Sequence, residues 1–431
     1  MPPPDLSATS EVRGSIPIPT GLPPLARAFK FAGPGLLVAV GYMDPGNWAT
    51  DIEAGSRFGT ELLFVVVACG LAAMLLQGLA LRIGLVARRD LAQLCRERFP
   101  PMVALPLWAA AQIAIIATDI AEVLGTALAI HLLVGLPLWA GVLITGFDTL
   151  VVLGLQGRGI RPLEAIIGGL VATVTLCFVA QLVIAPPDPA TVAAGLVPSA
   201  IVLTDTQALY LAIGILGATV MPHNLYLHSS IIQTRAVPPD QLRPALRWAN
   251  VDTVASLTLA TLVNAAILTL AATVLHGGGA RAVSDIGDAY RLLEPLTGVA
   301  LAPLLFGVAL LAAGQSATVT GTIAGQMVLG GFLRLRWRAW QVRLLTRSLA
   351  LVPALAGVLL YGEGAVGELL VLTQVVLSLQ LPFALGPLIM FAGSRRVMGD
   401  WAVTGAAKWA AWGVFGVITA ADVWLVGRVI L

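Results

Sequence analysis

The sequence predicts an all-α membrane protein built as a five-plus-five inverted repeat with one extra helix. Three observations carry this prediction. First, only 11% of the 431 residues are charged and 58% are hydrophobic, whereas a water-soluble domain averages about 25% charged residues. Second, apolar runs of about 20 residues, each long enough to cross ~30 Å of hydrocarbon, recur along the whole chain and leave no room for a soluble domain. Third, the first and sixth runs are each interrupted at their middle by a proline among polar residues.

Taken in order, residues 1–30 ("MPPPDLSATSEVRGSIPIPTGLPP…") have no continuous apolar core and no small-residue cleavage site. They read as a disordered cytosolic tail rather than a signal peptide. Residues 31–431 read as one transmembrane domain. Eleven spans are expected, at roughly 31–57, 60–86, 102–130, 136–155, 161–185, 208–234, 246–275, 299–332, 341–361, 366–392 and 402–430. The first repeat is then 31–185, the second 208–392, and 402–430 the extra helix.

Basic residues orient the spans. With the N-terminus inside, 21 of the 25 Lys and Arg residues fall on the cytosolic side; only Arg57, Arg281, Arg291 and Arg428 fall outside. The net charge of +2 is spread over short loops, which excludes a nucleic-acid footprint, and the expected non-substrate contact is the lipid bilayer. No obligate protein partner is expected. The three cysteines, Cys69, Cys95 and Cys177, have no paired spacing and read as small buried hydrophobes. The chain lacks HExxH, GxSxG and nucleotide-loop motifs, so an enzyme is not expected.

The two breaks concentrate the chemistry. The first span carries "GYMDPGNW" (41–48), the sixth "GATVMPHNLYLHS" (217–229). Proline has no N–H and clashes with the preceding turn, so each site opens the helix and frees carbonyls. Such backbone is tolerated at membrane depth only where it lines a cavity, and two breaks five spans apart fit a central site between inverted repeats. Asp44 offers a carboxylate, Asn47 an amide oxygen, Met221 a thioether and the region of Ala218 a carbonyl. A methionine in an apolar span ordinarily packs; beside Pro222 and across from Asp44 it reads as a ligand. A soft sulfur among oxygens favours a divalent transition metal over magnesium or calcium. Asn47 has a second reading, as a cap for the restarting helix.

Further polar residues lie within spans, where they need partners or tasks. Asp119 and Glu122, three apart, share a face of the third span; His223 and His228 follow the second break; Arg343 and Arg347 begin the ninth span. Together they can form a proton path, or a structural ion-pair network. The acids of the 276–299 loop, Asp285, Asp288 and Glu294, read as solvating that loop.

These motifs resemble the Nramp (natural resistance-associated macrophage protein) family, whose bacterial members are manganese transporters. "MDPGN" and "GATVMPHNLYLHS" look like its paired signatures, "GQSATVTGTIAGQMVLGGFL" its transport signature, and "LTQVVLSLQLPFALGPL" its tenth helix; the likeness covers roughly residues 30–392. It implies a LeuT-like fold and proton-coupled import of Mn²⁺ or Fe²⁺, with Cd²⁺ also carried, by a multi-pass protein of the cell inner membrane without a resident cofactor. It further implies metal ligation by Asp44, Asn47, the Ala218 carbonyl, Met221 and Gln374, with Gln380 as the competing candidate. Asp44, Asp119, Glu122, His223, His228 and Arg343 match proton-handling positions, and Asn264 a gating position.

Overall fold

The computed structural model describes residues 13–19, 21, 23–156, 159–276, 283, 285–333, 339–362, 364 and 366–430. A two-residue strand β1 (Ile16–Pro17) and a helix α1 (Pro24–Phe31) precede the first span, which is split into α2 (Pro34–Gly41) and α3 (Pro45–Phe58). There follow α4 (Leu63–Ala87), a short α5 (Leu91–Arg98), α6 (Pro101–Val134), α7 (Leu138–Gln156) and α8 (Ile160–Ile184). Two small helices, α9 (Pro189–Gly195) and α10 (Ile201–Thr204), lead to the second split span, α11 (Thr206–Thr219) and α12 (Pro222–Ile231). After strand β2 (Arg235–Ala236) come α13 (Leu242–Val274), α14 (Ile286–Thr297), α15 (Leu301–Phe332), α16 (Ala339–Tyr361), α17 (Val366–Ala392), α18 (Arg395–Met398) and α19 (Ala406–Ile430).

Eight described segments are long and apolar enough to cross a membrane, the second split span counting as one of them. The other three expected spans fall on the α2–α3 pair and on α7 and α16, whose described apolar stretches are Leu138–Phe147 and Leu345–Leu360. Both splits lie in the interior. α3 packs on α13, α11 and α17, α12 packs on α4 and α15, and α6 packs on α15 and α17. Met43, Asp44, Asn47, Trp48, Met221 and His223 are all buried.

Two expectations need correction. The tail over 1–30 is ordered in part; residues 1–12 lie outside the described residues. β1 pairs in parallel with β2, Gly14 N–H donates to the Gln233 carbonyl at 3.0 Å, and Arg13 donates to Gln93 at 3.0 Å. The reason is a period-two pattern too short to notice in a proline-rich stretch. Ile16 and Ile18 fall on one face and pack against Phe31, Leu81, Ile232 and Leu246.

The loop between α13 and α15 is also more than a solvated acidic segment, because it holds α14. Asp285 caps that helix, accepting from Gly287 and Asp288 N–H at 2.7 and 3.2 Å. Its partial burial pushes its carboxyl upward from the ordinary carboxylate range, against the pull of those amides. All three cysteines are buried and free.

Candidate metal site between the two broken helices

In the first break the backbone is largely committed. Pro45 has no N–H to return to the Gly41 carbonyl, so α2 ends there. The Tyr42 carbonyl accepts from Asn264 Nδ2 at 2.8 Å and the Met43 carbonyl from Trp48 Nε1 at 3.2 Å. Besides the Gly41 carbonyl, which Pro45 cannot reach with an N–H, what remains is side-chain oxygen. Asp44 Oδ1 accepts from Asn47 N–H at 2.9 Å and caps α3. Asp44 is thus the cap, and the capping alternative for the Asn47 side chain is not needed. Asp44 Oδ2 and Asn47 Oδ1 have no hydrogen-bond partner among the described residues, at 0% and 1% residue exposure. Buried polar atoms in native proteins rarely stay unpaired, and two such oxygens three residues apart are a candidate place for a cation.

The second break leaves the Ala218 carbonyl available for the same reason. Val220 N–H returns to Leu216 at 2.7 Å, but the residue four beyond Ala218 is Pro222, which has no hydrogen to give. Met221, fully buried, packs against Ala114, Ala117 and Leu377. Its sulfur lies 3.6 Å from Asn224 Nδ2, and that amide also sits in contact with Gly41 of the first break. Asn224 Oδ1 has no partner among the described residues. Sequence reasoning missed Asn224, although its position three after Met221 puts it on the same helix face.

α17 joins the two breaks through Gln374. Its side chain occupies the space where a Cβ of Gly46 would stand, and its backbone carbonyl the space over Gly217. Only glycine permits both approaches. Gln374 Nε2 donates to Thr373 Oγ1 at 3.1 Å, while Oε1 has no partner among the described residues. Gln380, six residues on, is half-buried. The register along α17 therefore puts Gln374, not Gln380, at the breaks.

The donors so assembled are one carboxylate, side-chain amides, a carbonyl and a thioether. Among the described residues no group of three His, Cys, Asp or Glu side chains is placed to hold a metal. A single formal charge among neutral donors attracts a divalent ion without the closed anionic cage of a permanent structural site.

The other candidate residues divide into two branches. His223 Nδ1 pairs with Thr118 Oγ1 at 3.2 Å, beside Asp119 on α6. One turn on, Glu122 Oε2 lies 3.8 Å from Arg347 Nη1, and Arg347 Nη2 donates to the Thr145 carbonyl at 3.1 Å. Arg347 is thus one arginine at this acid; the side chain of Arg343, the expected one, lies outside the described residues. His228 belongs to the second branch. Its Nδ1 pairs with Gln77 Oε1 at 2.9 Å, Gln77 Nε2 donates to Tyr42 Oη at 2.9 Å, and Nε2 of His228 meets Thr253 Oγ1 at 3.4 Å. Asn264 clamps the first break, as described above. Asp51, two turns along α3 from Asp44, was also missed; it is 1% exposed with Oδ2 unpartnered among the described residues.

Comparison with known proteins places this geometry. The chain is 59% identical over 418 residues to the divalent metal cation transporter MntH 1 of Pseudomonas aeruginosa, covering 96% of this chain and 95% of that protein. It is 56% identical to the divalent metal cation transporter MntH of Ralstonia nicotianae, covering 98% and 96%. Its structure superposes on a crystal structure of the Eremococcus coleocola manganese transporter with a TM-score of 0.88 at 36% identity, covering 97% of this chain and 90% of that one. A crystal structure of MhsT in complex with L-phenylalanine aligns with a TM-score of 0.62 at 13% identity over 90% and 98% of the two chains, a likeness of LeuT-type fold alone. Residues 35–428 match the natural resistance-associated macrophage protein-like (Nramp) family, and with the paired breaks, their donor set and these identities, the chain belongs to that family of membrane transporters.

Proposed function

We propose that this protein imports divalent transition-metal ions, Mn²⁺ or Fe²⁺ and also Cd²⁺, coupled to protons by alternating access across the inner membrane. In this reading eleven helices cross the bilayer with the N-terminus inside. One observation carries the reading: Asp44 Oδ2, Asn47 Oδ1 and Gln374 Oε1 are buried oxygens without a partner among the described residues, at a junction that also holds the Met221 sulfur and the Ala218 carbonyl.

The chemistry follows from the donors. A divalent ion entering the junction sheds water, and the Asp44 charge offsets much of that loss. The amides and the carbonyl replace hydration oxygens without adding charge, so the ion can also leave. Met221 penalises hard cations, which bind thioethers poorly. Asp44, Asp119, Glu122 and His223, with Arg347 beside Glu122, form the proton branch; His228, with Gln77 and Tyr42, ties α12 to the first break. Asn264 holds that break through the Tyr42 carbonyl, a contact that must be remade when α2 and α12 shift between states.

A sodium-coupled importer of small organic solutes is the closest alternative on this fold. Its broken helix would offer backbone amides to a substrate carboxylate, whereas Asp44 repels one. A magnesium-carrying relative is disfavoured by the buried Met221. Radioactive Mn²⁺ uptake into proteoliposomes decides the matter. Accumulation that rises with an inward proton gradient is expected. Uptake indifferent to the gradient would remove proton coupling, and no Mn²⁺ uptake at all would overturn the metal assignment.

A further inference from the structure

The last helix, α19, stands outside both repeats, and only 22% of its apolar window is buried. It nevertheless turns an acid inward. Asp422 is 4% exposed. Its Oδ1 accepts a hydrogen bond from Ser378 Oγ at 2.7 Å, and its Oδ2 has no partner among the described residues. Around the pair, Leu209 and Ile213 of α11, Val375 of α17 and Leu425 of α19 form a small apolar cluster. An acidic side chain in such surroundings is costly, and a helix that merely filled space at the lipid boundary would carry leucine here.

The other half of the pair sits against the candidate site. Ser378 is one helical turn after Gln374. A Cβ on Gly217 would strike the Gln374 carbonyl and come within 2.7 Å of Ser378 N. Gly217 adjoins Ala218, and Gln374 reaches Gly46. The turn of α17 that Asp422 grips is therefore the turn that lies on the second break and carries its side chain to the first.

We propose that Asp422 is a positioning residue for transport: by holding Ser378 it fixes the height of α17 against α11 and so aims Gln374 between the two breaks. The proposal rests on Gln374 serving the cargo ion. It makes α19 the anchor of the tenth helix, and it places a determinant of metal affinity on a helix that stands outside both repeats.

The test is Mn²⁺ uptake by the full chain in proteoliposomes, scored as KM and Vmax, for Ser378→Ala, Asp422→Leu, Asp422→Asn, Gln374→Ala and the double variant Asp422→Leu/Gln374→Ala. A misplacement of about 1 Å costs up to ~100-fold at a reacting centre; for one neutral ligand among several we expect about a tenfold rise in KM in Ser378→Ala and Asp422→Leu, with Vmax little changed. Asp422→Asn keeps an acceptor oxygen for Ser378 and should stay near wild type. In the Gln374→Ala background Asp422→Leu should add nothing. If Gln374→Ala raises KM but Ser378→Ala and Asp422→Leu do not, the positioning role is wrong while Gln374 stands. Equal effects of Asp422→Leu with and without Gln374 also overturn it. If Gln374→Ala itself leaves KM unchanged, the ligand reading falls and this proposal with it. Should Asp422→Leu fail to fold, Ser378→Ala and Asp422→Asn carry the decision.

Discussion

Met221→Ala separates a selectivity role for the sulfur from simple packing. Met221 is fully buried and walled by Ala114, Ala117 and Leu377. Alanine walls have little side chain with which to close a gap, so the stability cost belongs in the usual range of about 2–5 kcal/mol for such a truncation. For binding, the loss is one neutral contact, about 1–1.5 kcal/mol on the scale of an ordinary polar interaction, or about five- to twelvefold in Mn²⁺ Kd. The Asp44 attraction is untouched, so transport persists. Asn224 then decides what fills the space. Its Nδ2 now faces the sulfur at 3.6 Å, and its Oδ1 is free of partners among the described residues. With the sulfur gone the amide can turn that oxygen toward the ion. Hard ions gain a ligand they prefer where they had met a thioether, and specificity, a difference of affinities, narrows. The assay is Mn²⁺ uptake in proteoliposomes under rising Ca²⁺, for wild type, Met221→Ala and Met221→Ala/Asn224→Ala. Calcium should compete in the single variant and less in the double. Calcium equally ineffective against wild type and Met221→Ala would show that Met221 only packs, and the chemical case for a transition metal would lose its main support.

Asp44→Ala should abolish Mn²⁺ binding and uptake, because no other formal charge lies in the donor set; calorimetry giving an unchanged Mn²⁺ affinity would remove Asp44 as a ligand. Glu122→Gln should reduce proton flux more than Mn²⁺ affinity, since Glu122 lies 3.8 Å from Arg347 and is outside the donor set; a loss of Mn²⁺ binding as severe as that of Asp44→Ala would dissolve the proton branch. Asn264→Ala leaves the Tyr42 carbonyl without its 2.8 Å donor, at a cost of about 1–3 kcal/mol for an unsatisfied buried group. A lowered melting temperature with altered Vmax is expected, and an unchanged transport cycle would mean that the clamp plays no part in gating.

Much of this architecture is legible in the chain because membranes impose coarse rules. Apolar length sets the spans, and a proline at mid-span both ends a helix and frees a carbonyl, so Asp44, Asn47, Ala218 and Met221 follow from local chemistry. Which side chains meet across helices is another matter. Gln374 and Gln380 both lie in the tenth span, and only the close approach of α17 to Gly46 and Gly217 selects the first. Arg343 and Arg347 are one turn apart on the same face, so periodicity cannot rank them; only packing brings Arg347 within 3.8 Å of Glu122, while the side chain of Arg343 lies outside the described residues. Ile16 and Ile18 read as part of a disordered tail until a hydrophobic shelf from α1, α4, α13 and Ile232 covers them. Asp422 sits in a span that shows only apolar bulk in one dimension, and its meaning depends on Ser378, 44 residues earlier. The sequence by itself determined where the long apolar helices form and where two of them break, because those depend on solvent and on neighbouring residues. The tertiary structure decided which buried polar atoms find partners and which stay unpaired among the described residues, because that depends on groups brought together only by packing.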